Sequence, residues 1–397
     1  MLNKNSRCFK CMNKLERNFK NCPICGNETS TEKLFEYALP PGTILKNRYI
    51  VGHVVSKNQK TLTYIGLDTN LESKILISEF FIDKVTSRID SKILIKNFEN
   101  EKIFEKIKTN FFNLHQTLTK LRVLPNIIKI YETFMENNTA YVIKEIQKGI
   151  TFNEYLSNNY GEISWEHSKK LFLDLIKLLR YLHANKIIHS NLNPNTIYFE
   201  NNLLKIIDFT NAQINNSLDL KFELTEGYSA PEQYDNKEVG TYTDVYSIAA
   251  IMYKSLTGTK PVNSKSRLSN DNLLPPNILN STIPKNISFA ISSALVLAPK
   301  LRTQTMKDFY EDLTAPPREI SKNRMLKPKQ RTIKSKEKLE QLEQRKIELK
   351  IEKQKEKEEK KETKTKKIIF LSFLISCSIV SFFLVIAIFL LFGQDLF

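Results

Sequence analysis

Four of the five cysteines lie near the N-terminus, in two Cys-x-x-Cys pairs separated by ten residues. They are Cys8, Cys11, Cys22 and Cys25, and Gly26 follows the second pair. Four thiolates at this spacing can surround one zinc ion tetrahedrally at about 2.3 Å per bond. Glycine permits the tight turn that aims backbone N–H groups at the sulfurs. The spacing predicts a structural zinc ribbon over residues 1–30, with redox or disulfide-forming knuckles as the alternative.

Further polar motifs follow one another in the middle of the chain. In chain order they are His189-Ser190-Asn191, Asp208-Phe209-Thr210, Ala230-Pro231-Glu232 and Thr243-Asp244. Their order and spacing resemble the catalytic loop, the metal loop and the Ala-Pro-Glu motif of protein kinases. Arg302 stands where that family has the arginine that pairs with the glutamate of the last motif. Residues 39–64 resemble the opening of bacterial Ser/Thr kinases with an N-terminal zinc ribbon. The resemblance to the kinase domain as a whole covers residues 45–314.

The resemblance implies positions for binding ATP in the first part of this body, and those positions have changed. The glycines that let backbone N–H groups approach the phosphates are absent from residues 55–62. Ser78 takes the place of the lysine that holds the α- and β-phosphates. The glutamate that pairs with this lysine would fall at Leu114 or His115. Lys144, just before the hinge-like Glu145, backs the adenine pocket, and a cation there is expected to hinder adenine.

The catalytic loop departs from the family in the same way. Asn191 replaces the aspartate that accepts the substrate hydroxyl proton, and an amide has no useful basicity. Asn193 replaces the loop lysine, and Thr196 replaces the asparagine that binds the second Mg²⁺. Asp208 is retained as a magnesium ligand, although Thr210 replaces the glycine of its motif. The phosphate-binding and proton-accepting groups are therefore mostly missing.

The residues that maintain the family's fold are retained. These are His189, Phe209, the Ala230-Pro231-Glu232 motif, Asp244 and Arg302. The resemblance predicts an α+β bilobal protein-kinase-like fold, with an N-lobe at 45–148 and a C-lobe at 149–314. A preserved scaffold without its chemistry indicates a pseudokinase that acts as a signalling scaffold or regulator through protein binding.

Two other functions remain open from the sequence. The first is an active Ser/Thr protein kinase in which Lys57 or Lys60 substitutes for the missing lysine and Asp208 holds Mg²⁺. The second is a zinc-ribbon adaptor that binds nucleic acid or protein and uses the kinase-like body as a platform. Nucleotide binding separates the first alternative from an inert cleft, and salt-sensitive nucleic-acid binding tests the second.

The segments on either side of the kinase-like body predict how the protein is attached to a membrane. Residues 31–44 form a linker, residues 318–367 a charged helical stalk with a short coiled-coil pattern, and residues 368–392 an uncharged run. At 1.5 Å per residue the uncharged run reaches about 37 Å, which is enough to span a membrane. The preceding residues 320–367 contain 19 Lys and Arg but nine Glu. This basic excess predicts a single-pass plasma-membrane protein with its N-terminal bulk in the cytoplasm.

The formal net charge of +17 is therefore better explained by the stalk beside the membrane than by nucleic-acid binding. We expect protein partners that the sequence does not name. A homodimer formed through the stalk is a further expectation.

Overall fold

A six-stranded antiparallel sheet forms the N-lobe of the body. The protein is represented by a computed structural model, which describes residues 7–16, 19–29, 35–159, 161–214, 224–235 and 238–316. The N-lobe strands are β1 (Ile44–Leu45), β2 (Tyr49–Lys57), β3 (Thr61–Asp68), β4 (Ser73–Phe80), β5 (Thr86–Ile89), β6 (Lys92–Ile95), β7 (Ile130–Glu136) and β8 (Thr139–Lys144). Six of them pair in the order β1-β2-β3-β4-β8-β7, and β5 and β6 form a separate hairpin. Strand β3 is buried along its whole length, so both faces of the sheet are covered along this strand.

Helix α1 (Glu101–Lys120) follows β6 and precedes β7 in the chain, and it packs against β7 and β8 of the sheet. Apolar residues recur along it every three or four positions, which places them on one face. Phe104 and Phe111 on that face both contact Phe80 of β4, at centroid distances of 5.4 and 5.1 Å. This contact brings the C-terminal half of the helix, with His115, against the middle of the sheet.

The other face of β4 carries a buried ion pair. Glu79 is fully buried and accepts hydrogen bonds from Tyr64 Oη at 2.7 Å, Tyr141 Oη at 2.6 Å and Arg88 Nη2 at 2.6 Å. Arg88 belongs to the β5–β6 hairpin and also donates to the Tyr37 carbonyl at 2.7 Å. Both carboxylate oxygens have partners, which offsets the cost of burying the charge. Residues 35–43 of the predicted linker therefore lie against the N-lobe.

The C-lobe is mainly helical. Its elements are β9 (Ile150–Thr151), α2 (Phe152–Asn158), α3 (Trp165–Ala184), β10 (Ile187–Ile188), β11 (Ile197–Glu200), β12 (Leu203–Ile206), β13 (Gln213–Ile214), α4 (Pro231–Tyr234), α5 (Thr241–Thr257), α6 (Ser264–Arg267), α7 (Pro276–Leu279), α8 (Lys285–Ala294) and α9 (Met306–Thr314). Nearly every residue of α5 is buried, so this helix forms the centre of the lobe. It ends at Gly258, whose φ of 67° is the left-handed conformation that favours glycine.

Backbone hydrogen bonds join the two lobes next to the cleft. The Ile128 N–H donates to the Ile206 carbonyl, and the Ile206 N–H donates to the Asn126 carbonyl, both at 2.9 Å. The segment after α1 thereby pairs with β12, the strand that leads into the Asp208 motif. The predicted bilobal arrangement is confirmed for the described residues.

The predicted stalk at 318–367 and the predicted membrane span at 368–392 lie outside the described residues. Among the helices that the structure does describe, none combines the length and hydropathy needed to cross a membrane.

Candidate active site

The four N-terminal cysteines converge. Their Sγ atoms all lie within 4.8 Å of one another, with Cys8 and Cys25 at 3.7 Å and Cys11 and Cys22 at 3.8 Å. A tetrahedron with bonds of about 2.3 Å has edges of about 3.8 Å, whereas disulfide sulfurs are about 2.05 Å apart. The backbone N–H of Asn27 is the main cause that lowers the pKa of Cys25 to about 6. The geometry and donor set fit one zinc ion.

The two cysteine knuckles have matching backbones. The N–H of Cys8 donates to the Asn13 carbonyl at 3.0 Å, and the N–H of Cys22 donates to the Asn27 carbonyl at 2.8 Å. The residue after each second cysteine is left-handed, with φ of 71° at Gly26 and 56° at Met12. Methionine pays for this conformation with strain, but its side chain is 1% exposed. Its burial against the N-lobe offsets that strain.

The cysteine-rich segment docks on the N-lobe sheet. Phe9 and Met12 share an apolar cluster with residues of the sheet and with the hinge, namely Ile50, Ile65, Leu67, Leu76 and Ile146. The His53 N–H of β2 donates to the Phe9 carbonyl at 2.9 Å. A Cβ at Gly52 would lie 2.4 Å from that carbonyl oxygen, so only glycine permits this approach. Lys74 Nζ also donates to Asn13 Oδ1 at 2.8 Å.

Ser78 occupies the strand position where the resemblance implies a lysine. Its Oγ lies 2.8 Å from Thr63 Oγ1 on the paired strand β3, and it is 4% exposed. Leu76 precedes it on the same face and pairs directly with Lys144 of β8. Residues that pair across antiparallel strands share a face. The side chain of Lys144 therefore leaves the sheet on the cleft face, one strand away from Ser78, where the resemblance implies the lysine.

The back of the cleft brings together Lys144, His115 and Asp208. Burial lowers the pKa of Lys144, while the charge of Asp208 acts in the opposite direction. Burial also lowers the pKa of His115 to about 4, against a hydrogen bond to the Phe111 carbonyl at 2.8 Å. The imidazole is therefore neutral near pH 7. His115 stands at the predicted position of the helix glutamate. Asp208 is the anion whose charge favours the protonated form of buried Lys144.

Asp208 is engaged by its own loop. Its Oδ1 accepts hydrogen bonds from the Thr210 N–H at 2.9 Å and from Thr210 Oγ1 at 2.5 Å. Asn58, at the tip of the β2–β3 turn, donates from Nδ2 to Thr210 Oγ1 at 3.1 Å. This turn occupies the place of the family's glycine loop, so the loop contacts the metal loop directly.

The other predicted nucleotide-binding residues point to different partners. Lys57 Nζ pairs with Asp83 Oδ2 at 2.6 Å on the surface. The Lys60 N–H donates to Asn58 Oδ1 at 3.0 Å, which fixes the turn. The Glu145 carboxylate pairs with Lys205 at 2.6 Å and accepts from the Lys129 N–H at 2.9 Å. Among these positions, Lys144 lies close enough to Asp208 for the carboxylate charge to act on its amino group.

The catalytic loop forms a neutral hydrogen-bonded cluster. Asn193 Nδ2 donates to Asn191 Oδ1 at 3.1 Å and to Thr225 Oγ1 at 3.3 Å. Thr225 Oγ1 in turn lies 3.4 Å from Asn191 Oδ1. Thr196 Oγ1 donates within the loop, to the carbonyls of Asn191 and Asn193 at 3.1 and 3.0 Å. The amide oxygen at the position of the proton acceptor is thus occupied by two donors.

Asp244 of α5 accepts hydrogen bonds from the backbone of this loop. Burial opposes its ionisation, but the hydrogen bond from His183 and the backbone donors outweigh that effect and lower its pKa. The N–H groups of His189 and Ser190 donate to its two oxygens at 2.8 Å each. Ser190 is held at a φ of 63°, a strained conformation for serine. Buried Arg302 forms two bonds to Glu232, at 2.7 and 3.0 Å, which confirms the pairing implied by the resemblance.

Three residues of this site were not identified from the sequence. Thr225 lies on a separate loop, and its relation to Asn191 requires the folded chain. In the sequence Asn58 is only one of the residues in a stretch without the expected glycines, whereas in the structure its side chain contacts Thr210. The docking role of Phe9 is also not predicted from the sequence; the available signal is an aromatic residue next to Cys8, a predicted zinc ligand.

Comparison with known proteins agrees with this arrangement. The protein kinase domain family matches residues 82–319, more than half of the chain. The chain belongs to the protein kinase family. It is 24% identical over 288 residues to a probable serine/threonine-protein kinase of Clostridium acetobutylicum, covering 69% of this chain and 40% of that protein. A probable serine/threonine-protein kinase of Clostridium perfringens is 24% identical over 287 residues, covering 68% of this chain and 38% of that protein.

A third relative and a solved structure extend the comparison. Serine/threonine-protein kinase PknB of Mycobacterium tuberculosis is 26% identical over 206 residues, covering 48% of this chain and 33% of that protein. The structure of PpkA-294 in its apo form superposes with a TM-score of 0.57 at 21% identity, covering 70% of this chain and 99% of that one. The latter likeness shows the kinase fold. The chain spans about two fifths of the length of the clostridial relatives.

Proposed function

We propose that this member of the protein kinase family is a pseudokinase that acts through protein binding as a signalling scaffold or regulator. The observation that carries the proposal is the amide of Asn191 at the position of the proton acceptor. Its Oδ1 accepts from Asn193 and lies within hydrogen-bonding distance of Thr225. An amide oxygen has no useful basicity, and losing a general base costs about 10²–10⁴-fold in rate. The replacement of the strand lysine by Ser78 acts in the same direction.

Phosphoryl transfer by the full-length chain tests this proposal. The protein is incubated with radiolabelled ATP, Mg²⁺ or Mn²⁺, and a generic protein substrate. We expect no label on the protein or the substrate. The matched controls are Asn191→Asp, which restores a carboxylate, and Asp208→Ala, which removes the metal ligand. Label that appears in the wild type and disappears in Asp208→Ala would refute the proposal.

That outcome would support an active Ser/Thr kinase with displaced groups. Two findings favour this second candidate: the charge of Asp208 acts on the buried amino group of Lys144, and both clostridial relatives are named as probable kinases. Under this candidate, Lys144 takes over the charge of the missing strand lysine. Lys144→Met would then abolish labelling, whereas Lys57→Met, on a residue paired with surface Asp83, would leave it unchanged.

We also propose that the four cysteines hold a structural zinc ion in a ribbon that belongs to the kinase-like body. The support is the spacing of the sulfurs and the apolar contact of Phe9 and Met12 with the N-lobe. This docking makes an independent adaptor less suitable as the main function, because the apolar side of the ribbon is occupied. A nucleic-acid adaptor remains the alternative outcome, and it would bind DNA or RNA with a strong salt dependence.

Membrane anchoring is the last part of the proposal. The support is the sequence alone: an uncharged run at 368–392 follows a basic segment. We propose a single-pass plasma-membrane protein with its kinase-like body in the cytoplasm and protein partners there, including a second copy. Alkaline washing of membranes from cells that express the chain should leave it in the pellet. Deletion of 368–392 should release it to the supernatant.

A further inference from the structure

The phosphate end of the cleft contains two side chains where the family has glycine. One is Asn58, in the turn that replaces the glycine loop, and the other is Thr210, in the metal loop. They are separated by 152 positions in the chain, yet Asn58 Nδ2 lies 3.1 Å from Thr210 Oγ1. Glycine at either position could not make this contact. The two substitutions therefore create one interaction between the lobes.

Both side chains are fixed on their own side of the cleft. Asn58 Oδ1 accepts from the Lys60 N–H at 3.0 Å, the Thr61 N–H at 2.8 Å and Thr61 Oγ1 at 2.9 Å, which leaves Nδ2 directed away from the turn. The Thr210 hydroxyl donates its one proton to Asp208 Oδ1 at 2.5 Å and accepts from Asn58. One N–H of the Asn58 amide and the Thr210 hydroxyl proton are therefore each directed at one acceptor.

The same chain of bonds occupies Asp208. Two donors from Thr210 engage Oδ1, one of the two carboxylate oxygens through which Asp208 would ligate a metal ion. The charge of Asp208 is also partly balanced inside the fold by Lys144. A divalent cation would have to compete with both groups, and a triphosphate would have to displace the β2–β3 turn.

We propose that Asn58 and Thr210 form a latch that closes the phosphate end of the cleft and makes the cleft select against metal-bound nucleotides. The proposal rests on the proposed pseudokinase function, since it explains how the same site is kept free of the kinase ligand. The latch holds the β2–β3 turn on the metal loop without any ligand. A protein partner would then meet one fixed arrangement of the two lobes.

Thr210→Val in the full-length chain, purified in mild detergent, tests the latch. Valine keeps the branched shape but removes both hydroxyl hydrogen bonds. Thr210→Ser is the matched control, because it keeps the hydroxyl. Loss of these bonds should raise the amide exchange rates of Lys60 and Thr61 by about 5- to 30-fold in the valine variant, with serine close to wild type.

The second measurement is the affinity for ATP with Mn²⁺. A cleft that must open first binds more weakly by the fraction that is open, so Thr210→Val should bind about 5- to 30-fold more tightly than the wild type. Asn58→Asp provides a second route, since it keeps the oxygen that caps the turn but removes the donor to Thr210. Because the new carboxylate still accepts from Lys60 and Thr61, the reporter in this variant is the Thr210 amide, which is bonded to Asp208 and should exchange about 5- to 30-fold faster.

Unchanged exchange at Lys60 and Thr61 in Thr210→Val together with unchanged exchange at Thr210 in Asn58→Asp would overturn the latch, as would equal affinity of wild type and Thr210→Val for ATP with Mn²⁺. These outcomes would refute the latch without refuting the proposed pseudokinase function. Phosphoryl transfer by the wild type would refute the pseudokinase proposal, whereas the exchange rates test the latch whether or not transfer occurs.

Discussion

Replacing Phe9 by alanine should release the cysteine-rich segment from the N-lobe. The Phe9 side chain is 7% exposed, and its ring lies beside Gly42 and in the apolar cluster formed mainly by sheet residues. Truncation of a buried phenylalanine costs about 3–5 kcal/mol. Because most of this contact crosses to the lobe, about 3 kcal/mol should be lost from docking. At 1.4 kcal/mol per tenfold change, the docking equilibrium shifts by about two orders of magnitude.

The His53 amide reports this docking directly. Its N–H donates to the Phe9 carbonyl, so the amide loses this partner when the segment leaves. Hydrogen exchange resolved at His53 should therefore accelerate by about 100-fold in Phe9→Ala. Ile24→Ala is the matched control, because Ile24 lies in the other knuckle and is 60% exposed. Protection at His53 that survives Phe9→Ala, or is lost equally in Ile24→Ala, would refute the docking argument.

Three further predictions concern the zinc site, a buried ion pair and a buried histidine. Purified protein should contain one zinc per chain by elemental analysis, and Cys25→Ser should lose both the zinc and the protection of His53; retention of zinc would contradict the four-ligand site. Arg302→Met leaves buried Glu232 without its partner and should cost about 3–5 kcal/mol in urea denaturation. The exposed pair control Lys307→Met should cost under about 1 kcal/mol. His115 has a folded pKa of about 4 against 6.5 for the free group, so the unfolded chain takes up the proton first as pH falls. Stability should decline by about 1–2 kcal/mol between pH 6.5 and 5 through this residue, and His115→Gln should remove that part of the decline.

The sequence predicted the kinase-like body well because its motifs are local. His189-Ser190-Asn191 and Asp208-Phe209-Thr210 are contiguous segments, and the spacing between them is fixed by the short strands β11 and β12. The cysteine pairs are equally local, since each knuckle closes with its own backbone hydrogen bonds. The resemblance also placed Glu232 and Arg302 as a pair, which the structure confirms.

Side-chain partners across the cleft could not be predicted in this way. The sequence suggested Lys57 and Lys60 as replacement cations because they lie in the altered loop. Folding directs Lys57 to Asp83 instead, and it places Lys144 opposite Leu76 through the register of β4 and β8. That register depends on how the whole sheet assembles.

The identities of Ser78, Asn191 and Asn193 alone predicted the loss of the family's phosphate-binding lysine and proton acceptor, because these chemical properties belong to single side chains. The sequence also predicted the four thiols that converge at the candidate zinc site. Only the tertiary structure decided what the changed residues do. Asn58 and Thr210 meet because two lobes close on each other, and Phe9 has a role because the segment that carries it lies on the N-lobe. Such contacts join distant parts of the chain, so they depend on the folded distances between residues rather than on their order.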